Sequence, residues 1–200
     1  NDTKQPAMTT TASPTRNASQ IPYRILKEAS CPKLSPRATG DLTYNIGYRE
    51  DEMAYYFRVT ANGSSGFFSN EWIALKAIQA VLEQQPKDKP FKAIVLKGLY
   101  VRKGANNHGF LAAALKAEKI LVPVKDQPLL HTIADQFAEQ LDKAMQKLIA
   151  QGVDLPDTVA IEQQKKLEKQ AARIEQSKRD AESRQKSAGT DQASNAKITS

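Results

Sequence analysis

The chain has 200 residues, of which 40% are hydrophobic and 26% charged, and its net charge is +7. Those values suit one ordinary domain with extensions. They exclude a disulfide-stapled scaffold, because Cys31 stands alone, and a helical membrane span, because no apolar run approaches the roughly 20 residues a span needs. A lone thiol and an amino terminus without the basic-then-apolar order of a secretion signal lead us to expect a cytoplasmic protein.

In chain order, residues 1–20 are rich in Thr, Ser, Ala, Pro and Asn and read as a disordered leader. The stretch up to Gly40, broken by Pro22, Pro32 and Pro36, reads as irregular. Leu42, Tyr44, Ile46 and Tyr48 then alternate with polar or small residues, a period of two. After Glu50-Asp51-Glu52 a second alternation puts Tyr55, Phe57 and Val59 on one face and Tyr56 and Arg58 on the other, more exposed one. This predicts a β-hairpin, with Phe67-Phe68 opening a third strand.

Three helices are expected next, over about 71–85, 90–100 and 107–119. Ser69-Asn70 caps the first, Pro90 opens the second, and Asn106 or Asn107 caps the third. Ile120–Val124 reads as a strand. No second strand is evident before Pro128, which is expected to open an amphipathic helix over 128–151 with Leu130, Phe137, Leu141 and Leu148 on its apolar stripe and His131 at its surface. Residues 158–186, charged and glutamine-rich, read as a helix by propensity, solvated or coiled against a partner, and 187–200 as a disordered tail. The expected fold class is α+β: a small antiparallel sheet packed with a three-helix unit in a core spanning 21–125, followed by long C-terminal helices.

Charge is distributed unevenly along this plan. Residues 87–125 hold nine basic side chains against Asp88 and Glu118, while the remainder of the chain is nearly neutral. Such a footprint points to an anionic partner. Catalytic constellations are missing: two histidines and one cysteine have no metal-ligand spacing, so no metal or cofactor is expected. The run Gly104-Ala-Asn-Asn-His-Gly109 has the glycine spacing of a phosphate loop, yet Phe110 and Leu111 stand where Lys and Ser or Thr are needed. The basic loop Lys97–Lys103 does run into a helix start, where free N–H groups and the helix dipole favour anions. The plainer alternative is a solvated basic surface beside a glycine turn.

Three short helices followed by Ile120–Val124, with Asn107-His-Gly-Phe-Leu-Ala-Ala-Ala-Leu-Lys-Ala-Glu-Lys-Ile-Leu as the third helix, resemble a winged-helix or helix-turn-helix unit. That resemblance implies DNA more than RNA as partner. Asn106, Asn107 and His108 would touch base edges, and Lys97, Arg102, Lys103, Lys116 and Lys119 would touch phosphates. Roughly six such contacts would cost about a thousandfold in affinity between 50 and 200 mM salt. Tyr56 and Arg58 are a secondary candidate for base stacking. The expected function is non-catalytic nucleic-acid binding, with assembly into a homo-oligomer or onto a protein partner through 128–186. A protein–protein adaptor is the alternative, and a peripheral membrane protein a weaker one, because the cations do not lie opposite an apolar helix face.

Overall fold

The computed structural model describes residues 22–195 except 65, 88, 103 and 105, with side chains placed as far as residue 181. The expected leader, the expected phosphate contact Lys103 and the last residues of the expected tail lie outside the described residues. The fold is α+β, as expected. Two compact units divide the chain, Asn1–Asp154 and Leu155–Ser200.

The first unit opens with a four-stranded antiparallel sheet of β1 (Arg24–Cys31), β2 (Leu42–Arg49), β3 (Ala54–Asn62) and β4 (Ile73–Ala74), in that order. The predicted hairpin is β2–β3, with Tyr44 opposite Val59 and Ile46 opposite Phe57. These four side chains are buried on one face because strand side chains alternate and this face meets the helices. The expectation of an irregular 21–40 is corrected: Pro22 and Pro32 flank β1 rather than interrupt it. Phe68 does not start a strand either, and the sheet edge is the two-residue β4.

The other sheet face also differs from expectation. Arg58 is buried there, not exposed: its guanidinium lies 4.2 Å from the Trp72 ring centre and donates to the Asn45 side chain at 2.9 Å. Trp72 stacks on Tyr23, and Tyr56 meets Tyr23 edge-on. Gly47 makes room for this cover, since a Cβ there would stand 2.7 Å from the indole. The result is a small aromatic layer sealing the back of the sheet.

The first helix, α1, starts at Leu75 rather than 71, because Ile73–Ala74 pairs with β3. Where a second α-helix was expected, Phe91–Lys92 form β5 and Ala93–Leu99 a 3-10 helix ending beyond Gly98. Next come α2 (Asn107–Ala117), β6 (Leu121–Val124) and β7 (Gln127–Ile133). The predicted helix at Pro128 is thus a strand until Ile133. A strand not expected before Pro128, β7, pairs antiparallel with both neighbours in the order β5-β7-β6. Pro128 is tolerated because β5 pairs only with Leu130 and His131, past the position where a proline would cost a donor. His131 therefore points into the core with no exposed surface, and not from a helix face.

Helix α3 (Phe137–Ala150) returns along the sheet, burying Leu141 and Met145. The Arg24 side chain donates to the carbonyls of Val153 and Ile149, at 2.7 and 3.0 Å, and Tyr55 donates to Asp142 at 2.7 Å. These bonds fasten the end of α3 to β1 and β3. The second unit holds α4 (Thr158–Asn195), which continues past the expected end at 186. Its Ile161, Leu167 and Ile174 are exposed, and i,i+4 pairs such as Arg179–Glu175 line it. No helix among the described residues is long and apolar enough to cross a membrane.

Candidate functional site

Helix α2 lies at the centre of the first unit. It packs against the 3-10 helix and β6 on one side and against β1, β2 and β3 on the other, so Phe110 through Leu115 are all buried. Alanine at 112, 113 and 114 permits that close approach on two sides. The helix can therefore meet a partner only through its ends.

At the amino-terminal end Asn106 is the N-cap residue, but its side chain makes no capping bond, and the first turn carries no acidic side chain. The expected base contact Asn107 is instead structural. Buried at 3% exposure, it accepts from the Ser69 N–H at 2.9 Å and donates to the Arg102 carbonyl at 3.4 Å. Gly104 is needed beside it, because a Cβ would fall 2.5 Å from the Asn107 amide. Glu71 completes the clamp by accepting the N–H groups of Val101 and Arg102, each at 3.0 Å, together with the Ser69 hydroxyl. Burial would raise the Glu71 carboxyl, but those hydrogen bonds outweigh it and hold the group below its ordinary value. The backbone of Val101 and Arg102 is thus tied down while their side chains extend into solvent.

Lys97, Tyr100, Arg102 and His108 line one open cleft of about 660 Å³, and the Glu71 carboxylate lies against its Val101–Arg102 edge, engaged by their backbone N–H groups. His108 also borders a groove of about 240 Å³ that includes Lys33, Lys92, Ile94 and Leu129. Burial and then the Lys97 charge hold the His108 imidazole below its ordinary value, so the ring is neutral near pH 7. Lys33 is partly committed elsewhere, donating to the Thr39 carbonyl and the Ser64 hydroxyl. Of the side chains expected to bind, Lys97, Arg102 and His108 share the cleft, while Asn106 lines the neighbouring groove with His108.

Lys116 and Lys119 are not. They sit at the other end of α2, roughly 12 Å away along the axis for eight residues of rise. There the chain turns through Lys119, which adopts a left-handed φ of 59°. Between them Glu118 accepts from Lys27 at 2.7 Å and from the Tyr44 hydroxyl. Burial, followed by the hydrogen bond to Glu118, pushes the Tyr44 hydroxyl far above its ordinary range. Cys31 is close by and buried; burial and then the Asp41 charge push its thiol up to about 11, which keeps it protonated and unreactive. The Tyr56–Arg58 pair is far from this arrangement in kind, since its cation is under the Trp72 ring and its phenol donates to Glu52.

The sequence reading missed three side chains that border this end of α2, Lys92, Ile94 and Leu129. Lys92 lay inside the basic segment and could have been found from charge alone. Leu129 could not, because its place depends on β7 being a strand. No family model, curated protein or solved structure matches the chain.

Proposed function

We propose that this chain is a non-catalytic nucleic-acid-binding protein, for DNA in preference to RNA, that grips phosphates at the amino-terminal end of α2. The observation that carries the reading is the cleft itself: Lys97 and Arg102 line one opening at the start of a helix whose N-cap side chain makes no capping bond, and the nearby Glu71 carboxylate is taken up by backbone N–H groups and the Ser69 hydroxyl. Cations and oriented amides favour phosphate over other surfaces, and phosphate contacts position a nucleic acid without reading its sequence. The preference for DNA draws support from topology. The succession α1, β5, 3-10 helix, α2, β6, β7 with pairing β5-β7-β6 is the element order of a winged-helix unit, with the β6–β7 hairpin as wing. Lys125 at the tip of that hairpin is exposed and adds a further cation.

Duplex and single-stranded oligonucleotides titrated at low and moderate salt test this. Lys97→Ala/Arg102→Ala is expected to weaken binding at least about tenfold and to reduce the slope of log affinity against log salt by about 2, one for each phosphate left without its cation. Lys116→Ala/Lys119→Ala is expected to change affinity less than about twofold, the residual long-range effect of screened charges. Absence of binding at low salt, or binding indifferent to the first pair of substitutions, removes the proposal.

A second reading, a protein–protein adaptor, has one observation in its favour. Ile94 and Leu129 are exposed beside Lys92, an apolar and cationic groove suited to an acidic peptide. Saturable binding of an acidic amphipathic peptide, abolished by Ile94→Ser/Leu129→Ser, would establish it.

A further inference from the structure

We infer that the cleft at the amino-terminal end of α2 takes an unpaired nucleic-acid strand in preference to an intact duplex, an inference that rests on the nucleic-acid reading above. Reading a duplex through its major groove requires a helix laid along the groove with outward side chains. Helix α2 has none to offer along its middle, where six consecutive residues, Phe110–Leu115, are buried between the sheet and the 3-10 helix. Only the helix end is presented, where the N–H groups and the helix dipole favour phosphate.

Two residues before Ser69, whose N–H donates to Asn107 at that end, the chain carries an exposed ring. Phe67 is 99% exposed and Val101 89% exposed. Both belong to loops that are held together rather than loose, Asn107 bridging Ser69 to Arg102 and Glu71 bridging Ser69 to Val101 and Arg102. An exposed aromatic ring in the loop that Ser69 ties to α2, together with Val101 and two cations lining the cleft, supplies the elements with which proteins hold single strands: the base stacks on the ring while the cations follow the backbone. In an intact duplex the base faces are already covered by their neighbours, so Phe67 would gain nothing there. In an unpaired strand each base can turn to the ring. The charge of the cleft selects the polyanion, and the exposed ring selects its unpaired form.

The test is fluorescence anisotropy of the full chain with three labelled probes: a single strand, the blunt duplex of the same sequence, and that duplex carrying a single-stranded tail. Single strand and tailed duplex are expected to bind about tenfold more tightly than blunt duplex, the lower end of what one base–aromatic stack supplies. Phe67→Ala is expected to erase that difference while leaving blunt-duplex binding and the circular dichroism spectrum unchanged, since a ring wholly in water contributes no packing. Blunt duplex bound as tightly as single strand, or a Phe67→Ala chain that keeps the preference, overturns the inference and leaves the nucleic-acid reading standing. Failure to bind any of the three at low salt ends both. An RNA strand bound more tightly than its DNA counterpart sustains the inference and reverses the preference for DNA.

Discussion

At its amino-terminal end α2 faces Lys97 and Arg102 across an open cleft, whereas at its carboxy-terminal end Lys116 and Lys119 flank Glu118, whose carboxylate is held by Lys27 and Tyr44. The same helix, in the same basic stretch of sequence, thus carries cations in two different settings. At one end Lys97 and Arg102 line an opening, and the nearby Glu71 carboxylate is occupied by the Val101 and Arg102 N–H groups and the Ser69 hydroxyl. At the other a carboxylate lies among the cations and the group is turned inward, joining α2 to β1 and β2. The lesson is that cations close together in sequence are parted by the fold, so that only those lining a common opening can act together. Net charge along the sequence measures the supply of cations, not their availability.

Three substitutions sharpen or break that contrast. The largest effect is expected at Asn107, which sequence reasoning treats as a contact for bases and the structure makes a strut. Asn107→Ala should cost about 2 kcal/mol in urea unfolding, because the buried Ser69 N–H loses its acceptor and the Arg102 carbonyl a weaker donor. Binding should weaken with it as the backbone at Arg102 loosens. A variant of unchanged stability that fails to bind would restore Asn107 as a direct contact and undo the account of the clamp.

Glu118→Ala probes the opposite end. Removing the carboxylate leaves Tyr44 and Lys27 without their acceptor, at a cost of about 2 kcal/mol, moderated because Lys27 is partly in water. Nucleic-acid affinity should stay within about twofold at matched folded concentration, since exposed charges a Debye length away are largely screened. A large gain in affinity would show that Glu118 restrains the cleft electrostatically and that the two ends are not separate.

The smallest effect concerns His131, whose two ring nitrogens are buried without a hydrogen-bond partner among the described residues. Burial and then the Lys116 charge hold it below its ordinary 6.5, so the folded chain keeps it neutral. The unfolded chain binds a proton as pH falls through about 6.5, so this group's share of stability is full above that pH and is lost below it. His131→Leu should therefore flatten the acid limb of melting temperature against pH. It should also add about 1 kcal/mol near neutrality by removing an unsatisfied polar group from the core. His108, shifted in the same direction, should leave a residual acid dependence. An acid limb as steep as before would assign that dependence to other groups.

The hairpin β2–β3 was legible because one face is apolar while the other carries polar and small residues such as Asn45, Gly47 and Arg58, which leaves a clean alternation in Tyr44, Ile46, Phe57 and Val59. Strand β1 was illegible for a local reason: a bulge between Ile25 and Lys27 turns Ile25 and Leu26 both inward and erases the alternation. In 128–149 the period itself misled. Leu130, Ile133, Phe137 and Leu141 are spaced as on one helix, yet the first two belong to a strand, and only pairing with β6 decides this. Helix α4 was legible from propensity, its side chains meeting mostly water.

By itself, then, the sequence determined the α+β class, the central hairpin, α2, the long polar helix and the supply of cations between Lys87 and Lys125, since each depends on neighbours in the chain. Tertiary structure alone decided that α2 is walled in along its length, that Asn107 and His131 face inward, and that Lys97 and Arg102 share an opening from which Lys116 is absent. The physical reason is that burial and charge compensation depend on residues far apart in the chain: Glu118 answers Lys27 across 91 positions, and Asn107 answers Ser69 across 38. Such distances leave no periodic trace in the order of amino acids.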